Sequence, residues 1–255
     1  MRILLTNDDG IAAPGLALLE EIARTLSEDI WVVAPADEQS GAGHSLTLTR
    51  PLRLLKHDDR RFSVSGTPTD AVMMALGHVM REHKPDLILS GINRGANLAE
   101  DVTYSGTVSA AMEGALAGVP AIALSQAYTR QGMGDSVRFD AARGWAAKAL
   151  VPLLAKPMAP GTLVNVNFPP CPTDAVKGIR VCQQGMRDYG RAAVDERRDP
   201  RGFAYYWFAL GPARETPGHD TDLEAIADDC VSVTPLHLDM THHPSLADLR
   251  QRFAG

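Results

Sequence analysis

The length, composition and charge of the chain are those of an ordinary globular protein. Its 255 residues include 25 Lys and Arg against 31 Asp and Glu, and the formal net charge of −6 argues against a polybasic coat for nucleic acid or anionic membranes. At about 150 residues per domain, this length predicts one or two domains. With 45% hydrophobic and 22% charged residues, the chain is expected to be neither disordered nor fibrous.

The sequence shows neither a signal peptide nor a membrane-spanning run, which favours a cytoplasmic protein. The apolar stretch at the start of the chain is too short for a signal peptide, and no run approaches the ~20 residues that span a bilayer. The three cysteines lack C-x-x-C spacing, so the sequence predicts neither a disulfide framework nor a thiolate zinc site: Cys171, Cys182 and Cys230.

Short apolar runs alternate with helical periodicity through residues 1–170, which is typical of a parallel sheet with crossover helices. The predicted strands are residues 3–6, 30–34, 86–90, 120–124 and 163–167. The predicted helices include residues 19–26, 67–82 and 139–154 and one with small residues at 110, 111, 114, 115 and 118 for close packing. Residues 45–49 and 61–64 have period-two character, and we expect them to form an extended excursion from the main sheet.

The chain changes character after residue 170. Residues 177–182, 205–209 and 230–234 are predicted strands separated by charged loops with glycine and proline. A short terminal helix is predicted from Ser245, as its cap, to Phe253. We therefore divide the chain into an open α/β core, residues 1–170, and a β-rich extension, residues 171–255, whose long hairpins could pack on another subunit.

Polar residues follow three of the predicted strands directly, where ligands bind in open α/β sheets. These segments are residues 7–10, 37–41 and 90–93. Carboxylate, hydroxyl and amide oxygens without clustered His or Cys suit a hard cation such as Mg²⁺ or Mn²⁺. Asp8 and Asp9 would repel each other unless a cation or a proton compensates them. An isolated Asp-Asp pair more often caps a turn, but the two other oxygen-rich strand ends favour a metal site.

Two further loops could bind an anion. Residues 40–43 are rich in backbone amides, and residues 104–107 precede a helix whose dipole favours phosphate, although simple loop and capping roles explain each alone. Residues 67–70 are fully explained as a capping box, and Asn97 is by default a turn residue. His44 is the one histidine beside these loops and could assist proton transfer. Neither a dinucleotide fingerprint, nor a P-loop, nor a G-x-S-x-G elbow is present.

Taken together, five segments in this order resemble the SurE family, the stationary-phase survival protein 5'/3'-nucleotidases. They are Thr6–Gly10 (TNDDG), Ser40–Gly41, Gly66–Asp70 (GTPTD), Ser90–Asn97 (SGINRGAN) and Asp101–Val108 (DVTYSGTV). The resemblance continues in residues 199–202, 205–207, 221–222 and 231–236, so it covers nearly the whole chain.

The resemblance implies a Rossmann-like core, a C-terminal part exchanged between subunits of a dimer or tetramer, and a metal-dependent phosphomonoesterase acting on nucleoside monophosphates. By position, the family's metal ligands fall on Asp8, Asp9, Ser40 and Asn93, and its phosphate-side residues fall on Asn97, Ser105, Gly106 and Thr107. The chain departs from the family pattern at residues 66–71 and 98–100. Both segments lie at the margin of the site, where they would affect substrate preference rather than the reaction.

On this hypothesis one divalent cation holds the phosphate and an attacking water, and Asp8 or Asp9 takes the water's proton. A covalent aspartyl-phosphate on Asp8 is the mechanistic rival. A haloacid-dehalogenase-type phosphatase is disfavoured because it needs Asp-x-Asp spacing. The remaining alternative is a non-catalytic, metal-dependent nucleotide sensor.

Overall fold

The computed structural model describes residues 1–128, 137–187, 192–210 and 220–254. Within these ranges eleven strands are present: β1 (Arg2–Thr6), β2 (Asp29–Pro35), β3 (Leu54–Asp58), β4 (Arg61–Val64), β5 (Leu87–Arg94), β6 (Ala121–Gln126), β7 (Thr162–Phe168), β8 (Gly178–Val181), β9 (Ala192–Arg198), β10 (Ala204–Leu210) and β11 (Cys230–His237). The α-helices described there are α1 (Pro14–Arg24), α2 (Pro68–Met74), α3 (Gly106–Leu116), α4 (Asp140–Leu154), α5 (Asp222–Ala227) and α6 (His243–Arg252).

Nine of the described strands form one mixed sheet in the order β3-β4-β2-β1-β5-β6-β7-β11-β8. Its centre is parallel: β1 pairs with both β2 and β5, and β6 pairs in the same sense with β5 and β7. The predicted Rossmann-like, mostly parallel sheet with flanking helices is therefore confirmed.

Helices cover both faces of the sheet because the central strands are apolar on both sides. Ile3 and Leu5 pack in a cluster with Leu19 of α1 and Leu150 of α4. Leu4 points to the other face, where its cluster includes residues of α2 and α3. The small residues of α3 allow the predicted close approach, since a Cβ on Gly114 would lie 2.8 Å from the Cβ of Ala121.

The segment between β2 and α2 differs from the prediction. Residues 45–49 form no strand, and β3 lies further along the chain at Leu54–Asp58. The pair β3-β4 is also part of the main sheet and not an excursion, because β4 pairs in parallel with β2 through Val32 and Arg61. Partial burial of Phe62 against the core at this edge explains why the segment joins the sheet.

Two helix boundaries also differ. The α-helix that begins at Pro68 ends at Met74 and continues as a π-helix over Ala75–Val79, short of the predicted end near residue 82. The terminal helix begins at His243, with Pro244 in its first turn, so Ser245 is not its cap. A proline in the first turn favours a helix start at this position. The N–H groups of the first turn have no acceptor within the helix, so the N–H that proline lacks is not needed.

The part of the chain after residue 170 contributes to two sheets. β8 and β11 extend the main sheet, with β11 antiparallel to β7, whereas β9 and β10 form a separate antiparallel pair. The β-rich character of this part is thus confirmed, while its division from residues 1–170 as a separate domain stays a prediction. No helix within the described ranges has the length and apolar character needed to cross a bilayer.

Candidate functional site

The four predicted metal ligands lie at one edge of the sheet. Asp8 and Asp9 follow β1 after one intervening residue, Ser40 is in the loop after β2, and Asn93 is near the end of β5. Because β2, β1 and β5 are adjacent and parallel, their carboxyl ends meet at the same edge, where open α/β sheets bind ligands.

Hydrogen bonds tie these three strand ends together. The backbone N–H of Gln39, which directly precedes Ser40, donates to the carbonyl oxygen of Asp8 at 2.8 Å. The backbone N–H of Arg94, the residue after Asn93, donates to Asp9 Oδ2 at 3.1 Å. The loops that carry the hydroxyl and the amide are therefore fastened to the loop that carries both carboxylates.

The N-terminus of α3 closes against Asp8. The hydroxyl of Thr107 donates to Asp8 Oδ1, and the N-cap residue Ser105 accepts a hydrogen bond from Val108 N at 3.0 Å through its Oγ. A Cβ on Gly106 would lie 2.8 Å from the Cβ of Asp8, closer than real Cβ atoms approach. Glycine is thus required where the helix and the aspartate meet. The amides at this helix end provide an electropositive surface beside the carboxylates.

Both carboxyl groups are unfavourably placed as anions. Burial raises the pKa of Asp8 to about 6, against the opposing hydrogen bond from Thr107, and the negative charge of Asp9 adds to the rise. Burial also raises the pKa of Asp9, and the charge of Glu38 adds to that rise, while the hydrogen bond from Arg94 opposes it. A cation between the two carboxylates would offset this cost.

The donor set fits a hard divalent cation. Within the described ranges no three His, Cys, Asp or Glu side chains cluster as a metal site would require, so the candidate set at this edge is mixed. The amide of Asn93 donates through Nδ2 to the Gly95 carbonyl at 2.9 Å, so its Oδ1 is the atom that could bind a cation. Ser40 is exposed, and its hydroxyl donates a hydrogen bond to Glu38 Oε1 at 2.9 Å. The lone pairs of the Ser40 oxygen therefore remain available to bind a cation. Two carboxylates, an amide oxygen and a hydroxyl are the ligand types that Mg²⁺ and Mn²⁺ prefer.

Asn97 is held by buried polar side chains: two amides on β7 and a hydroxyl on β6. Its backbone N–H donates to Asn167 Oδ1 at 2.8 Å, and its carbonyl accepts from Asn165 Nδ2 at 2.7 Å and from Asn167 Nδ2 at 3.1 Å. Its own side chain donates to Ser125 Oγ at 2.8 Å. Asn97 is therefore a fixed residue and not only a turn former.

The two amides on β7 were not predicted as part of the site, although the sequence contains a signal for them. Asn165 and Asn167 alternate with apolar residues in the run 163–167, so two polar side chains share one face of a fully buried strand. Buried amides need hydrogen-bond partners. A pair of asparagines at that spacing therefore indicates a neighbouring polar loop.

Two other predicted features have different outcomes. Thr67 and Asp70 form the predicted capping box, with Asp70 N donating to Thr67 Oγ1 at 3.1 Å and Thr67 N donating to Asp70 Oδ2 at 2.8 Å. His44 Nε2 lies 2.6 Å from Oε1 of Glu113 on α3. Glu113 is six residues beyond Thr107, about 9 Å along the helix axis. The structure thus brings His44 to the flank of α3 and not to its N-terminus.

Comparison with known proteins gives one consistent result. A family model described as Survival protein SurE matches residues 3–191. A protein named 5'-nucleotidase SurE from Rhizorhabdus wittichii is 65% identical over 247 residues, which are 97% of each chain. A protein of the same name from Erythrobacter litoralis is 58% identical over 99% of this chain and 100% of its own. The crystal structure of a SurE protein from Aquifex aeolicus superposes with a TM-score of 0.84 at 39% identity and covers 99% of both chains.

Proposed function

The chain belongs to the SurE family, and we propose that it is a divalent-metal-dependent 5'-nucleotidase that hydrolyses nucleoside 5'-monophosphates to nucleoside and phosphate. The full-length identity to proteins named 5'-nucleotidase SurE supports the reaction class. The comparisons give no support to the alternative of a non-catalytic nucleotide sensor. Hydrolysis of nucleoside 3'-monophosphates is a further part of the proposal.

One observation carries the assignment of this activity to the sheet edge. The N-terminus of α3 packs on Asp8 so tightly that only glycine fits at position 106, and a helix end of the kind that binds anions therefore lies beside the buried Asp8 and its half-buried neighbour Asp9. A phosphate monoester needs both partners, since helix amides bind its oxygens and acidic side chains bind the cation that accompanies it.

Asp8, Asp9, Ser40 and Asn93 would hold one divalent cation, Mg²⁺ or Mn²⁺. When bound, such an ion supplies Lewis-acid polarisation of the phosphate and lowers the pKa of water. The residues of the chain do the remaining work of orientation. Both carboxylates are fixed by hydrogen bonds, one from Thr107 and the other from the Arg94 backbone, so little reorganisation is needed when a cation binds.

The phosphate would bind at the start of α3. In the proposal, Ser105, Gly106 and Thr107 supply amides and hydroxyls for its oxygens, and Asn97 contacts it from the neighbouring loop. Asp9 or Asp8 accepts the proton of the attacking water. The rival route forms a covalent phosphate ester on Asp8, and burial of Asp8 is compatible with both.

The proposal extends to assembly and location. The C-terminal part, residues 171–255, would serve subunit exchange in a homodimer or homotetramer. In the separate two-stranded sheet of β9 and β10, strand β10 exposes Tyr205, Tyr206 and Trp207. Exposed aromatic side chains are common at protein interfaces. We place the protein in the cytoplasm, without a nucleic-acid or membrane partner.

The decisive experiment measures phosphate release from 5'- and 3'-nucleoside monophosphates with Mn²⁺, Mg²⁺ or EDTA. Wild type should be active only with a cation, and Asp8→Asn should lose turnover. Asp174→Asn is the matched control, because this exposed aspartate lies in a 3-10 helix after β7. Absence of phosphate release with every cation from folded wild type would refute the proposal.

A second experiment separates water attack from the covalent route. The reaction is quenched with acid during turnover, and the protein is then examined for bound phosphate.

A further inference from the structure

The loop between Asn97 and Ser105 is bonded to the C-terminal part of the chain. Asp222, at the start of α5, is completely buried. Its Oδ2 accepts from the backbone N–H of Ala99 at 2.9 Å, and its Oδ1 accepts from Gly185 N at 2.8 Å. One carboxylate thus joins the loop to two segments of the C-terminal part that are distant in sequence.

Ala99 needs such support because of its backbone conformation. Its φ of +51° lies in the left-handed region, which residues with a Cβ seldom adopt. Asp222 accepts its N–H, and Gln184 Nε2 donates to its carbonyl at 3.0 Å. Both backbone polar groups of this residue are therefore held by side chains from the C-terminal part.

The next residues of the loop are fastened in the same way. Both carboxylate oxygens of Glu100 accept from the backbone N–H of Arg187, at 3.0 and 2.9 Å. The guanidinium of Arg187 pairs with Asp101. The three loop residues 99–101 are thus all bonded to residues 184–187 or to Asp222.

Burial of Asp222 disfavours the charged form of its carboxyl group. Burial raises the pKa of its carboxyl group, against hydrogen bonds from Ala99, Gly185 and Leu223. A buried carboxylate is weak evidence for stability, since apolar replacements of buried charges are often neutral or stabilising. The hydrogen bonds that it accepts come from backbone N–H groups, one of them that of Ala99 in the loop, which points to a positioning role.

We infer that Asp222 and Gln184 are positioning residues that hold the 97–105 loop in the form that binds phosphate. The inference rests on the proposed function, which places phosphate contacts at both ends of this loop, on Asn97 and Ser105. Asn97 is bonded to β6 and β7, and Ser105 caps α3. The bonds to Ala99 therefore hold the loop between these two fixed ends. The bonds described for the two residues lead to the loop and to Gly185, away from the candidate metal ligands.

This separation gives a specific expectation. Loss of either residue should weaken binding of the phosphate group and leave cation binding at Asp8 and Asp9 unchanged. Asp222→Asn turns one acceptor oxygen into an amide that faces a backbone N–H. Gln184→Ala removes the contact to the Ala99 carbonyl without changing charge.

The experiment compares Asp222→Asn and Gln184→Ala with wild type. The measurements are the KM for a nucleoside 5'-monophosphate, the inhibition constant of inorganic phosphate, and the Mn²⁺ dissociation constant. Asp228→Asn is the control, since it removes a carboxylate at the other end of α5 that pairs with Arg180 on the surface. We expect KM and the phosphate constant to rise about 10- to 100-fold in the variants, as for other residues that orient a ligand group. The Mn²⁺ constant and the control should stay within about twofold of wild type.

Unchanged KM and phosphate inhibition in both folded variants would overturn the inference, as would an equal loss of Mn²⁺ affinity. If Asp222→Asn does not fold, Gln184→Ala decides alone. Inactive wild type would refute the proposed function instead. In that case direct titration of inorganic phosphate into Mn²⁺-loaded protein still tests positioning, because it requires no turnover.

Discussion

Asp8→Asn should stabilise the metal-free protein at neutral and alkaline pH. The carboxyl of Asp8 is buried beside a second carboxylate, and burial raises its pKa from 3.8 to about 6. An asparagine keeps an oxygen that can accept the hydrogen bond from Thr107 and removes the buried negative charge. The substitution that removes activity is therefore expected to increase the free energy of unfolding.

The sign follows from proton linkage. Below pH 3.8 the carboxyl is protonated in both the folded and the unfolded chain, so it contributes no pH dependence. As the pH rises toward 6, the unfolded chain ionises first, and the stability of the folded protein falls. Above pH 6 the full difference is present. A rise in pKa of about two pH units corresponds to about 3 kcal/mol of lost stability.

The assay is urea unfolding of wild type and Asp8→Asn in EDTA at pH 4 and pH 8, at one fixed protein concentration because assembly also affects stability. The difference between the variants should shift in favour of asparagine by about 2.5 kcal/mol between these pH values, because part of the effect is already present at pH 4. Comparing two pH values cancels any pH-independent effect of the substitution. Asp174→Asn, an exposed control, should show a much smaller shift. A difference that does not change with pH, or that favours aspartate at pH 8, would refute the account of a buried, uncompensated carboxylate.

Three further predictions concern the same region. Mn²⁺ at 100 times its dissociation constant should stabilise wild type by about 2.7 kcal/mol in thermal or urea unfolding and Asp8→Asn by much less, and equal stabilisation of both would contradict the ligand assignment. Gly106→Ala should lower the free energy of unfolding by about 1 to 3 kcal/mol and raise KM, because the Cβ of the new alanine has no space beside Asp8. Thr67→Ala should cost about 1 kcal/mol in urea unfolding, because Asp70 N loses its capping oxygen, and an unchanged midpoint would argue against the capping box.

The parallel core could be predicted from sequence because its signals are local. A run such as Ile3–Thr6 is apolar on both faces, so it indicates a strand covered by helices on both sides without knowledge of its neighbours. The acidic pair is equally local, since Asp8 and Asp9 follow that strand after one intervening residue. Only the order of the strands, which places Ser40 and Asn93 at the same edge, depends on the tertiary fold.

Features set by distant contacts could not be predicted in the same way. Residues 45–49 alternate as a strand does, yet they form none, because β3 at Leu54–Asp58 pairs with β4 instead. The left-handed conformation of Ala99 depends on Asp222, 123 residues away, and no local pattern indicates such a bond. The sequence thus suggests candidate ligands, whereas the residues that contact and support their loops could be identified only in the structure.

Asp222 and Asp8 are both buried carboxylates, but their surroundings differ. Asp222 is buried with backbone N–H donors on both oxygens, which oppose the rise in its pKa on burial and connect it to a loop. Asp8 is buried with a like charge beside it, and the hydrogen bonds that it accepts, among them the one from the Thr107 hydroxyl, still leave its pKa raised to about 6. A carboxylate held by backbone N–H donors can fix the position of a loop, whereas a carboxylate beside a like charge would gain most from a bound cation. Replacing Asp8 should therefore make the metal-free protein more stable and inactive, whereas replacing Asp222 should weaken phosphate binding with the cation still bound.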